Sequence, residues 1–318
     1  MKRFLWAAMA VLLLLGAAVL ALNFRGEDPI DEASAPASAT PERVARGAYL
    51  ARAGNCMGCH TERGGEPYAG GRGIDTPFGT VYASNLTPDP ATGIGTWSAD
   101  HFWRALHNGR SRDGRLLYPV FPYTNYTVVT RPDADAIYAY LRSLKPVAQP
   151  NRTHGLSFPF NTQAALAVWR ALYFKPGEQP ADTTQSADWN RGAYLVQGLG
   201  HCNACHGSRN ALGATAGPLD LGGGLIPMQN WYAPSLSDPR EAGVADWPLP
   251  DIAQLLKTGV SPRASVLGPM AEVVGRSTQH LSEADLNAIA VYLKALPPSH
   301  ANAAPPTGPA PASNGAKL

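Results

Sequence analysis

A chain of 318 residues divides naturally into about two domains of ordinary size. Its 26 basic and 24 acidic residues leave a formal net charge of +2, without the concentrated basic face that a nucleic-acid partner requires, so no nucleic acid is expected. A hydrophobic content of 45% suits globular domains, and 32 glycines with 29 prolines point to loop-rich ones.

At the N-terminus Lys2 and Arg3 precede an unbroken apolar run over residues 4–22. About 19 residues make a helix of roughly 28 Å, enough to span a bilayer. A cleaved signal peptide is the competing reading, but it calls for a shorter apolar core and a small-residue cleavage site, for which Val19-Leu20-Ala21 is a weak match. The run predicts a transmembrane anchor over residues 1–24, its basic end cytoplasmic. Residues 25–41, polar and rich in Ala, Ser, Pro and acidic side chains, read as a tether.

All four cysteines fall in two motifs of one form, Cys56-Met57-Gly58-Cys59-His60 and Cys202-Asn203-Ala204-Cys205-His206. This spacing is the attachment signal for c-type haem: two thiols add to the porphyrin vinyl groups and the adjacent histidine reaches the iron. A zinc site or a redox pair would use the Cys-x-x-Cys units, yet neither requires a histidine directly after both second cysteines. The motifs predict two covalently bound haem c groups. Cys56, Cys59, His60, Cys202, Cys205 and His206 are the attachment and proximal residues, with His60 and His206 on the iron atoms.

The second half of the chain repeats the first at an offset of about 150 residues. Arg46-Gly47-Ala48-Tyr49-Leu50 returns unchanged as Arg191-Gly192-Ala193-Tyr194-Leu195, ahead of the second motif. Tyr82-Ala83-Ser84-Asn85 returns as Tyr232-Ala233-Pro234-Ser235, residues 97–109 match 247–259, and 136–144 match 288–296. Within each copy the apolar residues have helical periodicity. Phe102, Ala105 and Leu106 correspond to Ile252, Leu255 and Leu256, with Gly109 and Gly259 ending both helices. A last helix carries Ile137, Tyr140, Leu141 and Leu144 in one copy, and Ile289, Tyr292, Leu293 and Leu296 in the other. The expected fold is all-α: two tandem cytochrome c-like haem domains, 42–147 and 188–298, behind an N-terminal transmembrane helix. The linker, 148–187, contains a helix over 162–174 that braces the domains. Residues 299–318, dominated by Pro, Ala, Gly, Ser and Asn, read as a disordered tail.

The iron's second axial position separates the copies. Met270, in Gly268-Pro269-Met270-Ala271, sits one loop before the last helix and is the expected distal ligand of the second haem, with Met228 in reserve. The matching loop of the first copy reads Tyr118-Pro119-Val120-Phe121-Pro122-Tyr123, and Phe121 cannot bind iron. His101, His107, a donor from the Tyr123 to Tyr126 loop, or an open iron remain for the first haem.

The two Arg-Gly-Ala-Tyr-Leu segments, Thr76-Pro77-Phe78-Gly79, Asn85-Leu86-Thr87-Pro88-Asp89, the Leu117-Tyr118-Pro119 loop and Gly268-Pro269-Met270 carry a resemblance over residues 41–298. They resemble the multihaem cytochrome c subunits of membrane-bound alcohol and gluconate dehydrogenases and of molybdenum hydroxylases. The resemblance implies an electron-transfer subunit rather than an enzyme. It would take electrons from a dehydrogenase catalytic subunit and pass them to a quinone, a cytochrome or a terminal oxidase. It also implies a place on the bacterial inner membrane with the haem domains in the periplasm. Many such subunits carry three haems, and their Leu-Tyr-Pro loop often has Met where this chain has Phe121. An open first haem keeps two alternatives in view, a dihaem peroxidase-like enzyme and a ligand sensor.

Overall fold

The computed structural model describes residues 1–31, 39–217, 219–226 and 229–297. Met228, part of the expected tether and the whole of the expected 299–318 tail lie outside these residues.

The N-terminal run forms helix α1 (Lys2–Phe24), and none of its apolar window is buried. Beyond it the first half contains α2 (Pro41–Ala53), a one-turn α3 (Cys56–Cys59), α4 (Ala99–Asn108), a one-turn α5 (Tyr123–Tyr126) and α6 (Arg131–Ser143). The linker contributes α7 (Gln163–Tyr173), capped by Thr162. The second half repeats the plan with α8 (Ala187–Ala193), continued by a π-helical turn Tyr194–Leu199, then α9 (Asn203–His206), α10 (Leu249–Thr258), α11 (Pro269–Arg276) and α12 (Glu283–Lys294). Gly109 at φ 60 and Gly259 at φ 78 close α4 and α10 in the left-handed conformation that their repeat positions predicted.

Helices dominate, but the fold also holds two small sheets. Strand β1 (Gly73–Thr76) pairs antiparallel with β2 (Gly79–Tyr82), which also takes β3 (Gly155–Leu156) from the linker, and β4 (Gly224–Ile226) pairs with β5 (Trp231–Ala233). Strands of two to four residues are too short to leave an alternating pattern, so the all-α expectation holds only in part.

The repeated Arg-Gly-Ala-Tyr-Leu segments explain how the halves meet. In the first copy α2 crosses α6 so closely that a Cβ on Gly47 would stand 1.8 Å from the Ala136 carbonyl oxygen; in the second, Gly192 would stand 2.0 Å from that of Ala288. Glycine is what permits either crossing. The arginine before each glycine pairs with an aspartate of its own half, Arg46 with Asp133 and Arg191 with Asp285 at 2.7 Å. The tyrosine after each glycine crosses to the other half. Tyr49 O–H donates to Asp285 at 2.6 Å and Tyr194 O–H donates to Asp133 at 2.8 Å. Each buried aspartate therefore accepts from both copies, and the halves meet in a reciprocal, near-two-fold arrangement.

Burial opposes the ionised form of Asp285, but hydrogen bonds from Arg191 and Tyr49 outweigh it and hold the carboxyl below its ordinary range. A depressed carboxylate stabilises the fold above the unfolded value of about 3.9 and loses that contribution as pH falls through the folded value. Asp285→Asn is therefore expected to lower stability by about 2 kcal/mol at neutral pH, with the variant and parent denaturation curves converging in acid below the carboxylate range. Chemical denaturation across pH checks this, and a deficit that persisted undiminished in acid would contradict it.

Candidate functional site

Each Cys-x-x-Cys-His motif occupies a tight turn. The residue before the first cysteine, Asn55 at φ 48 and His201 at φ 37, takes the left-handed conformation that reverses the chain into the turn. Burial pushes the thiols of Cys56 and Cys202 up to about 12, keeping both in the S–H form. Among the described residues no three His, Cys, Asp or Glu side chains converge on a bare metal-ion site, which leaves the zinc alternative without a ligand set.

The histidines carry the clearest signal. His60 Nδ1 lies 2.7 Å from the Ser84 carbonyl oxygen, and His206 Nδ1 lies 2.7 Å from that of Pro234. Ser84 and Pro234 are repeat partners, Ser84 just past β2 and Pro234 directly after β5. A carbonyl can only accept, so the ring proton sits on Nδ1 and Nε2 is left as the bare lone pair that a metal binds. Desolvation lowers the pKa of both rings, which favours the neutral form. A glycine fixes each geometry from the other side: Gly70 N–H donates to the His60 carbonyl at 2.8 Å, and Gly223 N–H to that of His206 at 2.7 Å. Both glycines have positive φ, and a Cβ on either would strike the strand exit at Ser84 or Ser235. The motif alone did not reveal these supports, although the repeat of residues 82–85 at 232–235 marked where they lie.

Beside Cys56, Cys59 and His60 opens a mostly apolar cavity of ≈ 1520 Å³, walled by Val81, Leu86, Phe102, Leu106 and Phe121 and extending to His201 and Cys205 of the second turn. Two thiols and a histidine with a bare Nε2 at the edge of an apolar space of that size fit a porphyrin ring. His101 and His154 also line this space. Their tautomers are opposite to that of His60. Nδ1 of His101 accepts from Ser98 N–H at 3.2 Å, as part of the α4 capping box, and Nδ1 of His154 accepts from Tyr82 N–H at 3.1 Å. The ring proton is thereby placed on Nε2, so neither ring offers that lone pair. His107 stacks on Trp103 and is not among the lining residues. In the second half, Met270 is half-buried in the first turn of α11, next to Gly268, whose added Cβ would strike Trp231 of β5. The Met270 loop thus packs on the strand that leads to Pro234.

The two attachment turns are neighbours. Tyr126 O–H donates to the Gly54 carbonyl at 3.0 Å while its ring meets the edge of the His201 ring at 5.7 Å. Asn125 Nδ2 reaches Gln197 O at 2.6 Å and Asn203 Oδ1 at 2.8 Å. From the other side α11 packs on α3, and Glu272 pairs with Arg72 at 2.8 Å, while Arg72 also donates to the Gly58 carbonyl. Elements from each half thus brace the turn of the other.

A cytochrome c family model matches residues 44–145. The chain is 44% identical over 284 residues to a subunit of the nicotinate dehydrogenase of Pseudomonas putida, covering 89% of this chain and 24% of that protein. It is 41% identical over 266 residues to the gluconate 2-dehydrogenase cytochrome c subunit of Pantoea cypripedii, covering 80% and 59%. It therefore spans only about a quarter to just over half of these relatives. With a dihaem c-type cytochrome of Cereibacter sphaeroides it is 36% identical over 303 residues, covering 93% of this chain and 99% of that one. The cytochrome c match implies covalently bound haem c, and the Pantoea cypripedii relative is named as a cytochrome c subunit. The chain belongs to the c-type cytochrome family of which the Cereibacter sphaeroides protein is a full-length member.

Proposed function

We propose that this protein is a dihaem cytochrome c, anchored by α1 in the bacterial inner membrane with residues 42–147 and 188–298 as two haem domains in the periplasm. It relays electrons from a dehydrogenase catalytic subunit to a respiratory acceptor, whether quinone, cytochrome or terminal oxidase. The observation that carries the reading is the duplicated His–carbonyl pair, His60 with Ser84 and His206 with Pro234, since one such pair per motif supports one haem per motif. Names of relatives that are subunits of nicotinate and gluconate dehydrogenases support the donor.

In this reading Cys56 and Cys59 hold one haem by thioether bonds with His60 as proximal ligand, and Cys202, Cys205 and His206 hold the other. Bound haem supplies a one-electron iron couple. The chain's own residues do the rest. Ser84 and Pro234 orient the proximal rings, the apolar walls keep water from the iron, and the braces around Gly54 and His201 fix the two turns side by side. Met270 is the proposed distal ligand of the second haem.

Intact mass and a haem-stained denaturing gel test the count. The protein isolated from membranes should carry the mass of two haems on a chain that retains residues 1–24. One haem mass would overturn the dihaem reading, and loss of residues 1–21 would replace the anchor with a cleaved signal.

A further inference from the structure

Helix α7 has an unusual face. Residues 164, 168, 171 and 172, which share one face of the helix, are Ala, Val, Ala and Leu, with Trp169 and Tyr173 alongside. Val168 is 48% and Leu172 64% exposed, and Phe158, in the loop before the helix, is 82% exposed. The helix's one charged residue, Arg170, is buried on the inner side, and Gln163 in its first turn is bonded to the Leu116 backbone. A surface helix ordinarily turns its polar residues outward, and this one has no others to turn.

The position of α7 says what covers that face. The end of α1 is not free. Asn23, buried in the last turn, donates to Ala167 O of α7 at 2.8 Å and accepts from Arg170 Nε at 3.0 Å. Arg110 donates to the Asn23 carbonyl at 3.0 Å and pairs with Glu27 at 2.7 Å, and Asn108 donates to Gly26 O at 2.9 Å. This buried polar junction locks α1 to the haem-bearing body at the level of α7. The apolar run of α1 is about as long as a bilayer's hydrocarbon core is thick, so Asn23 stands at its boundary, and α7 stands there with it.

We propose that α7 lies in the headgroup boundary of the membrane that α1 crosses, with Val168, Leu172 and Phe158 entering the lipid and Trp169 and Tyr173 at the interface. The inference rests on the reading of α1 as an anchor. α1 and α7 both carry exposed apolar side chains, and aromatic rings beside an apolar face are what an interfacial helix presents. Phe158, Val168 and Leu172 also form part of the lining of the cavity beside His60, so the mouth of that cavity turns toward the membrane.

The test uses the full-length, haem-loaded chain in vesicles of phosphatidylcholine and phosphatidylglycerol with no other protein. A spin label is placed singly at Leu172→Cys, Val168→Cys, Leu13→Cys or Glu283→Cys, with haem spectra checked in each variant. Collisional access to oxygen, which partitions into lipid, is compared with access to a water-soluble nickel chelate. The oxygen-to-nickel ratio at 172 and 168 should exceed that at 283 by about fivefold and approach that at 13. If 13 is lipid-facing while 172 and 168 behave like 283, the anchor stands and the inference on α7 is overturned, leaving a protein as the cover of that face. If 13 also behaves like 283, the anchor reading fails and takes the inference with it.

Discussion

Replacing Met270 with Ala is expected to abolish the methionine-to-iron charge-transfer band of the oxidised protein completely and to lower one of two midpoint potentials. A thioether favours ferrous over ferric iron, so its loss should drop that potential by on the order of 0.1–0.2 V, within the roughly 0.8 V that axial ligation spans. The other potential should stay where it is. In the first cavity Phe121 fills the loop position, and His101 and His154 hold their Nδ1 atoms as acceptors. The first haem should therefore be the one that takes up cyanide or carbon monoxide first in the parent protein. Phe121→Met is the reciprocal experiment and should add a second charge-transfer band. Redox titration with optical detection reads all of these, and an unchanged spectrum in Met270→Ala would remove that residue from the iron.

Changing both Cys202 and Cys205 to Ala should remove one covalent haem, so that haem staining falls by about half and the mass drops by one haem. The spectrum that remains should be that of the first site, because Cys56, Cys59 and His60 keep their places, although Cys205 also lines the cavity beside them. It should lack the methionine band, since Met270 is the ligand proposed for the lost site. Haem content unchanged by the double substitution would refute attachment at the second motif. The structural cost should fall on the π-helical turn after α8, on α10 and on α12, whose inward residues Leu195, Ile252, Leu286 and Tyr292 share one core. Limited proteolysis should therefore cut the second half first.

The two Cys-x-x-Cys-His motifs announce themselves in sequence, because two thiols one turn apart followed by an imidazole form a local pattern that survives any surrounding fold. The same is true of α1, whose apolar run is continuous, and of α4 and α10, whose glycine ends follow from the need for positive φ. The linker helix was visible too, with Thr162 as its cap. Its packing was not. Sequence assigned it to bridging the two domains, and Trp169 does reach Leu212 O at 2.9 Å, but the helix also receives the end of α1 at Asn23.

Chain order determined the cysteines, the histidines that follow them, the duplication and the contrast between Met270 and Phe121, all of them properties of neighbouring residues or of repeated letters. Only the tertiary structure decided which carbonyls set the tautomers of His60 and His206, since Ser84 and Pro234 lie 24 and 28 residues away. It also decided that His101, a candidate by residue type, spends its Nδ1 on a helix cap. The repeated Arg-Gly-Ala-Tyr-Leu segments show the division most clearly. Sequence established their identity but not their purpose, because Asp133 and Asp285, the acceptors that explain the arginine and the tyrosine, come from helices distant in the chain, and the tyrosine bonds reach across to the other copy. A side chain whose partner is fixed by the docking of two domains leaves no local periodicity to read.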